Sequence, residues 1–465
     1  MRARTAVLIL LFTFFCQSAL AQQTRGGTDR YSGVFGSISQ GAPGGGAIQL
    51  SIADSIERAL KYNLGGIVGE QETRVSVAAR VRALAELMPK VNAEVSETVQ
   101  QIDLAAFGFT SFPGIASVVG PFSLFDVRGR YTQRVLDFRR FHELRAASER
   151  VTASNYALQD VRDLVVFIAT DLYLQAVAGT GRLEAARAQL KTAQAVYDRA
   201  KDLKDSGVVA GIEVLRAQVQ LQAQQQRLLA AENEVAKHKL DLARAIGLPQ
   251  GQGFAQTDAF ITAPVTIPPL DQSLSTALES RADYHRAASL VRAAEETRKA
   301  ANGRRMPSFE VKGDYGDLGR APGQSHGTMF VEGILSVPIF TGERTRAELL
   351  ESDALLEERR AEAANLRDRI EYEIRTANLD IQSAADQVRV AQIGKDLAQQ
   401  QLSQAQDRFS AGVANGLEVT LAQEAVVTAD ENYISSVYAL NLAEGALARA
   451  TGVAEKAIKA FYGGK

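Results

Sequence analysis

Two stretches decide the fold: SGVVAGIEVLRAQ at 206–218 and AGVANGLEVTLAQ at 411–423. They are identical at seven of thirteen positions without a gap and lie 205 residues apart. Each brackets a chain reversal between two glycines, Gly207 and Gly211 in the first, Gly412 and Gly416 in the second. Glycine enters the left-handed backbone region without steric cost, which suits the end of one helix and the start of the next. A glutamate follows each turn, Glu213 or Glu418. At a helix start it meets the positive end of the dipole, so each glutamate has a plain structural use.

Working outward, both turns sit between long helical runs. From Arg139 to Lys204 there is no proline and the composition is Ala, Leu, Gln, Arg and Glu. That predicts one helix of about 65 residues, on the order of 100 Å long. A return helix runs to Ile246, stopped by Gly247 and Pro249. The second turn is flanked in the same way, by a helix from about Glu343 to Ser410 and a return helix to about Ala450. The return helices carry heptads: Val214, Leu221, Leu228, Val235 and Leu242 in one, Val419, Val426, Tyr433, Leu440 and Leu447 in the other. Three residues after most of these comes a small one, such as Ala217, Ala231, Ala422 or Ala443. A repeat every 3.5 residues implies left-handed supercoiling of helices on their neighbours, and small residues permit close approach.

Before each long helix the period changes from helical to two. In 89–101 Val91, Ala93, Val95 and Val99 alternate with polar residues. In 122–137 Phe125, Val127, Gly129, Tyr131 and Val135 share one face, while Asp126, Arg128, Arg130, Thr132 and Arg134 share the other. The second half repeats this: Phe309, Val311 and Tyr315 oppose Glu310, Lys312 and Asp314 in 307–317, and Met329, Val331, Leu335 and Val337 align in 328–340. Charge on one side of a strand is costly in a dry core and suits a surface or a water-filled lumen. Four such strands are too few for a barrel, for which about eight is the practical minimum, so strands must be pooled between chains.

The helix preceding the strands starts near Ser51, with Asp54 three residues on in a capping-box arrangement. It bends around Asn63-Leu64-Gly65-Gly66 and ends at Met88-Pro89. Its counterpart spans about 272–305 and ends at Met306-Pro307. The chain therefore divides into a first repeat, 49–247, with its tip at about 205–213, and a second, 272–452, with its tip at about 410–418. A connector, 248–271, holds four prolines, and 453–465 is a tail. Register supports duplication: Val161-Arg162-Asp163 matches Leu366-Arg367-Asp368, and Ala245-Ile246-Gly247 matches Ala450-Thr451-Gly452, both at the turns' offset.

At the N-terminus Arg2 and Arg4 precede an apolar run from Val7 to Phe15 and the small-residue site Ala19-Leu20-Ala21, a secretory signal peptide over 1–21. A Gly- and Ser-rich leader, 22–48, reads as flexible. The only cysteine, Cys16, lies within the signal without the small residues a lipoprotein signal places before it, which argues against lipidation. Beyond residue 22 no run reaches the roughly 18 consecutive apolar residues of a transmembrane helix. With 52 basic and 54 acidic residues the charge nearly cancels, leaving no electrostatic footprint for nucleic acid. The four histidines are scattered, and Gly44-Gly45-Gly46 lacks the lysine of a phosphate loop. No catalytic set, metal site or cofactor is expected, and an enzyme is not indicated.

The ordered set of helix, strand, strand, long helix, turn and helix, written twice, resembles the TolC-like outer membrane efflux protein family. MPK and MPS at the helix-to-strand junctions and G-V-x-x-G-[IL]-E-V at both turns carry the resemblance over about Ser51 to Gly452. It implies a mainly α fold with a small β portion. In a homotrimer this forms a 12-stranded outer membrane β-barrel continuous with a periplasmic α-helical barrel. It implies an exit duct for small molecules or proteins, loaded by a periplasmic adaptor and an inner-membrane transporter. Arg128, Arg130, Glu310 and Lys312 then face the barrel lumen, and the opposite strand faces meet lipid. The adaptor docks near Gly207-Val208 and Gly412-Val413, and Glu213 and Glu418 line a periplasmic constriction. Acidic residues stand three positions on in close relatives, where this chain has Arg216 and Leu421. Where relatives latch the closed state with a tyrosine and an arginine, it has Phe409 and Ala414. Arg216 is free in this reading to pair with a glutamate across a subunit interface. The competing reading is a periplasmic coiled-coil adaptor or scaffold that never enters the membrane.

Overall fold

The structure, a computed structural model, describes residues 36–39, 41–108, 116–258, 260 and 267–456. The signal peptide, most of the expected leader, the centre of the 107–122 loop, part of the connector and most of the tail lie outside the described residues. In chain order the elements are β1 (Ile48–Leu50), α1 (Ile52–Tyr62), α2 (Leu64–Ala85), β2 (Lys90–Asp103), β3 (Val118–Asp137), α3 (Phe138–Asp205) and α4 (Gly211–Ala245). There follow β4 (Phe254–Gln256), α5 (Leu270–Ser280), α6 (Ala282–Gly303), β5 (Ser308–Gly319), β6 (Ser325–Ser336), α7 (Arg344–Ser410) and α8 (Gly416–Ala450). The chain is mainly α with a small β portion, and the same unit is written twice.

It divides into two compact units. One takes the described residues up to Gln71, Tyr156–Tyr284, and everything from Leu366 on; the other is Glu72–Asn155 with His285–Asn365. In the first unit Ser51 caps α1 with a full capping box: its hydroxyl accepts from Asp54 N, and the Asp54 carboxylate accepts from Ser51 N, both at 3.1 Å. The cap aims Ile52 and Ile56 into a core with Val165, Val166, Ala169 and Tyr173 of α3, Leu242 of α4 and Ile246 just after it. α3 contains a stretch long and apolar enough to cross a membrane by composition, but half of that stretch is buried within the protein. Ladder pairing between β1 and β4 closes the core, with Ile48 opposite Phe254 in a parallel ribbon whose second strand lies in the expected connector.

Three expectations change here. The described part of the leader is tied down, since Ile38 N donates to Tyr62 O and Leu64 N to Gly36 O, both at 2.9 Å, while Gly44 N donates to Gln252 Oε1 at 2.6 Å. The first two bonds satisfy backbone groups that the break at Asn63 frees. The second repeat's first helix is broken as well: Arg281 is extended (φ −68°, ψ 121°), matching Asn63 (φ −66°, ψ 133°). Finally, β6 ends at Ser336 instead of 340, because Pro338 has no N–H for the ladder.

The second unit carries one antiparallel sheet in the order β2-β3-β5-β6. The repeats join through β3 and β5, where Tyr131 pairs with Gly313 and Arg130 with Asp314. Bulges interrupt the register between Gln100 and Ile102 of β2 and between Arg134 and Leu136 of β3; between them the alternation extends across all four strands. One row reads Val91, Tyr131, Gly313, Val331, and the next Ala93, Gly129, Tyr315, Met329. Val91, Val95, Tyr315, Met329 and Val331 are each about 70% exposed, so a band of apolar side chains stands uncovered.

Candidate functional site

Both helical turns lie in the first unit and share one hydrogen-bond pattern. Val208 N reaches back to Leu203 O (2.8 Å) and Gly207 N to Lys204 O (2.9 Å); Val413 N reaches Arg408 O and Gly412 N reaches Phe409 O, each at 3.0 Å. Gly207 (φ 76°) and Gly412 (φ 73°) supply the left-handed residue that this helix ending requires. Val208 and Val413 are left exposed at the two tips.

The next helices start differently. Asn415 caps α8 by accepting from Glu418 N at 3.3 Å, whereas Ala210 stands at the corresponding position before α4 and offers no side-chain bond. The two glutamates diverge accordingly. Glu213 crosses to the other hairpin, its Oε2 accepting from Gly416 N at 2.9 Å, while its Oε1 accepts from Arg216 Nη1 at 2.6 Å. Only 12% of its side chain is exposed. A side chain at residue 416 would place Cβ 2.6 Å from Glu213 Oε2, so glycine is needed there for the approach. Glu418 stays 41% exposed and pairs loosely with Arg408 at 3.5 Å. Leu417 and Leu421 on the same turn are exposed.

Within its own chain Arg216 therefore pairs with Glu213, one helical turn away. Phe409 is buried with Ala200, Leu203, Ala217, Ala405, Val419 and Ala422, an apolar contact between the hairpins. Arg199 Nη2 adds a bond to Ser410 O at 3.2 Å. Further along α4, about three turns from Arg216, Arg227 grips Glu424 with both terminal nitrogens (3.0 and 2.7 Å), and Gln220 Nε2 joins at 2.8 Å. Arg227's hydrogen bonds, outweighing burial, hold the Glu424 carboxyl below its ordinary value. The sequence pattern gave no sign of this cross-helix cluster, since heptads mark only which positions face a neighbour.

On the polar face of the sheet in the second unit, Arg128 is held by Asp126 (2.7 Å) and Asp314 (3.0 Å), and Arg130 by Glu94. Glu310 stands opposite Arg134, and Lys312 opposite Glu332. Cations and anions therefore alternate from strand to strand on one wet surface. Among the described residues no group of His, Cys, Asp and Glu is placed to hold a metal ion.

The outer membrane efflux protein family matches residues 69–248 and 273–453, one match per repeat. Several solved structures share the fold. The outer-membrane channel OprN aligns with a TM-score of 0.73 at 19% identity, over 86% of this chain and 89% of that one. CusC, solved in a study of conformational changes accompanying folding and transmembrane channel formation, gives 0.74 at 18%, over 86% and 92%. The outer membrane channel CmeC of Campylobacter jejuni gives 0.73 at 16%, over 87% and 86%. No curated protein matches the chain. At these identities the likeness establishes the fold.

Proposed function

We propose, from the premise that this chain belongs to the outer membrane efflux protein family, that three copies form an outer membrane exit duct. The observation that carries the reading is the sheet: among the described residues β2 and β6 each pair on one side only, and one face is a bare apolar band. Unpaired edges beside exposed apolar surface are a liability in water, and closure into a barrel removes both. Three four-stranded sheets supply twelve strands, enough for a lumen. Val91, Tyr131, Met329 and Val331 then meet lipid, and Arg128, Arg130, Glu310 and Lys312 meet water. Each chain sets its lumen cations against its own anions, so the barrel carries little net charge for selecting cargo.

The hairpin tips lie in the periplasm, where Gly207-Val208 and Gly412-Val413 meet a periplasmic adaptor that couples the duct to an inner-membrane transporter. Glu213, with Arg216, holds the first tip against the second, while Glu418 and Leu421 border the constriction. The signal peptide exports the chain, and no lipid is attached. Fractionation with bilayer recording tests the reading. The expected result is an oligomer in the outer membrane that conducts ions after purification; recovery only as a soluble periplasmic monomer overturns it. Glu213→Ala removes a helix cap and an ion pair, an effect of about 1–2 kcal/mol, and should raise open probability roughly tenfold. An unchanged open probability would leave Glu213 outside the gate.

A further inference from the structure

Next to the apolar contact around Phe409 at the tips, the seam between α4 and α8 turns polar inside. On α4, Ala217, Gln220 and Gln224 fall on one face at i, i+3 and i+7, and all are buried. On α8 they are met by buried Gln423 and by Glu424. Gln224 lies between Gln220 and Arg227, both of which bind Glu424 across the seam. Yet Gln224 is only 2% exposed, and among the described residues neither its Oε1 nor its Nε2 has a hydrogen-bond partner; Gln423 Nε2 lacks one there too. A cavity of about 10 Å³ lined by Glu213, Gln220, Thr420 and Gln423 opens beside Gln423. The far ends of the same helices are built otherwise, from Val165, Val166, Leu242 and Ile246, and from Ile381, Leu440 and Ala443.

A buried amide without a partner is less stable than the same amide in water, whereas a buried apolar side chain prefers to stay buried. Docking α4 on α8 therefore strands these amides, and parting the helices hydrates them. We propose that the buried glutamines of the α4–α8 seam set the threshold of the gate, holding the docked and parted arrangements close in free energy. Each stranded amide shifts that balance toward parting by a factor on the order of ten. Arg227 and Glu424, at the solvent edge of the seam, keep register while the interior stays easy to wet. This inference rests on the duct reading.

The test uses the full-length oligomer with Gln224→Met and Gln423→Met, which keep side-chain volume and remove the polar atoms. In planar bilayers each variant should open on the order of tenfold less often than wild type, and its thermal midpoint should rise. Gln220→Met, which breaks an existing bond to Glu424, should do the reverse. Unchanged or more frequent opening of the Gln224 and Gln423 variants overturns the proposal. So does failure of these two variants to assemble, since an apolar seam should be the more stable one. If wild type forms no channel, the duct reading fails, and thermal midpoints alone decide the seam: equal or lower values in the Met variants overturn it.

Discussion

Glu213 and Glu418 occupy equivalent places in two copies of one motif, and a neighbouring difference separates their work. Asn415 serves Glu418 N, while Ala210 has nothing to offer, and Glu213 reaches the start of the opposite helix. The i, i+3 pairing with Arg216 was readable from spacing; the reach to Gly416 was not, because it depends on which helix becomes the neighbour. A second carboxylate of α8 is governed by burial. Glu444 has no partner for its Oε2 among the described residues, and burial pushes its carboxyl up to about 7. A folded-state value above the unfolded one means that the folded chain binds the extra proton. The associated stability is present below about pH 4.5 and is lost as pH rises toward 7. Asp163, raised to about 6 by burial and the Asp160 charge, acts in the same direction, so a single variant isolates one group. Between pH 5 and pH 8, wild type should lose about 1–3 kcal/mol more than Glu444→Gln in urea unfolding. Equal losses would show that Glu444 is ionised throughout.

At the scale of elements, the paired breaks at Asn63 and Arg281 show what pattern reading finds and what it misses. Asn63 is followed by Leu64-Gly65-Gly66, a visible interruption, whereas the segment around Arg281 has no glycine or proline and reads as unbroken helix. The second break is stabilised by distant groups. Arg281 donates to Asp283 Oδ1 and Oδ2 (2.9 and 2.7 Å), to Glu373 Oε2 (2.6 Å) and to Ala450 O at the end of α8 (3.1 Å). Gly452 lies so close that a Cβ would sit 2.8 Å from Arg281 N. Burial alone would raise the Asp283 carboxyl, but Arg281 and the Tyr284 N–H hold it below its ordinary value. Replacing Arg281 removes the main cation from that carboxylate, leaving it the Tyr284 N–H and a looser contact to Arg369 at 3.7 Å, and takes a donor from the helix-end carbonyl of Ala450. Arg281→Met should cost about 3–5 kcal/mol in urea unfolding followed by circular dichroism. A loss under about 1 kcal/mol would show that the backbone break stands without its side-chain clamp.

At the scale of the whole molecule, strand alternation, the two long hairpins and the duplication were all legible, because period and offset are local counts. Which strands pair was not, since both repeats carry the same two-faced pattern; the join at β3 and β5 emerges only in the folded sheet. That join makes the apolar rows continuous across the repeats and allows a test of which face meets lipid. Val331 closes the row Val91, Tyr131, Gly313 and is 73% exposed, while its neighbour Glu332 lies on the opposite face across from Lys312. An arginine on the lipid side near mid-membrane costs about 2–4 kcal/mol, whereas a change on the lumen side alters only a wet surface. Val331→Arg, present three times around a closed barrel, should sharply reduce the membrane-embedded oligomer on native gels. Glu332→Gln should assemble at wild-type yield and shift only ion preference. If the two variants assembled equally well, the exposed apolar band would not be facing lipid, and the barrel would lose its main support.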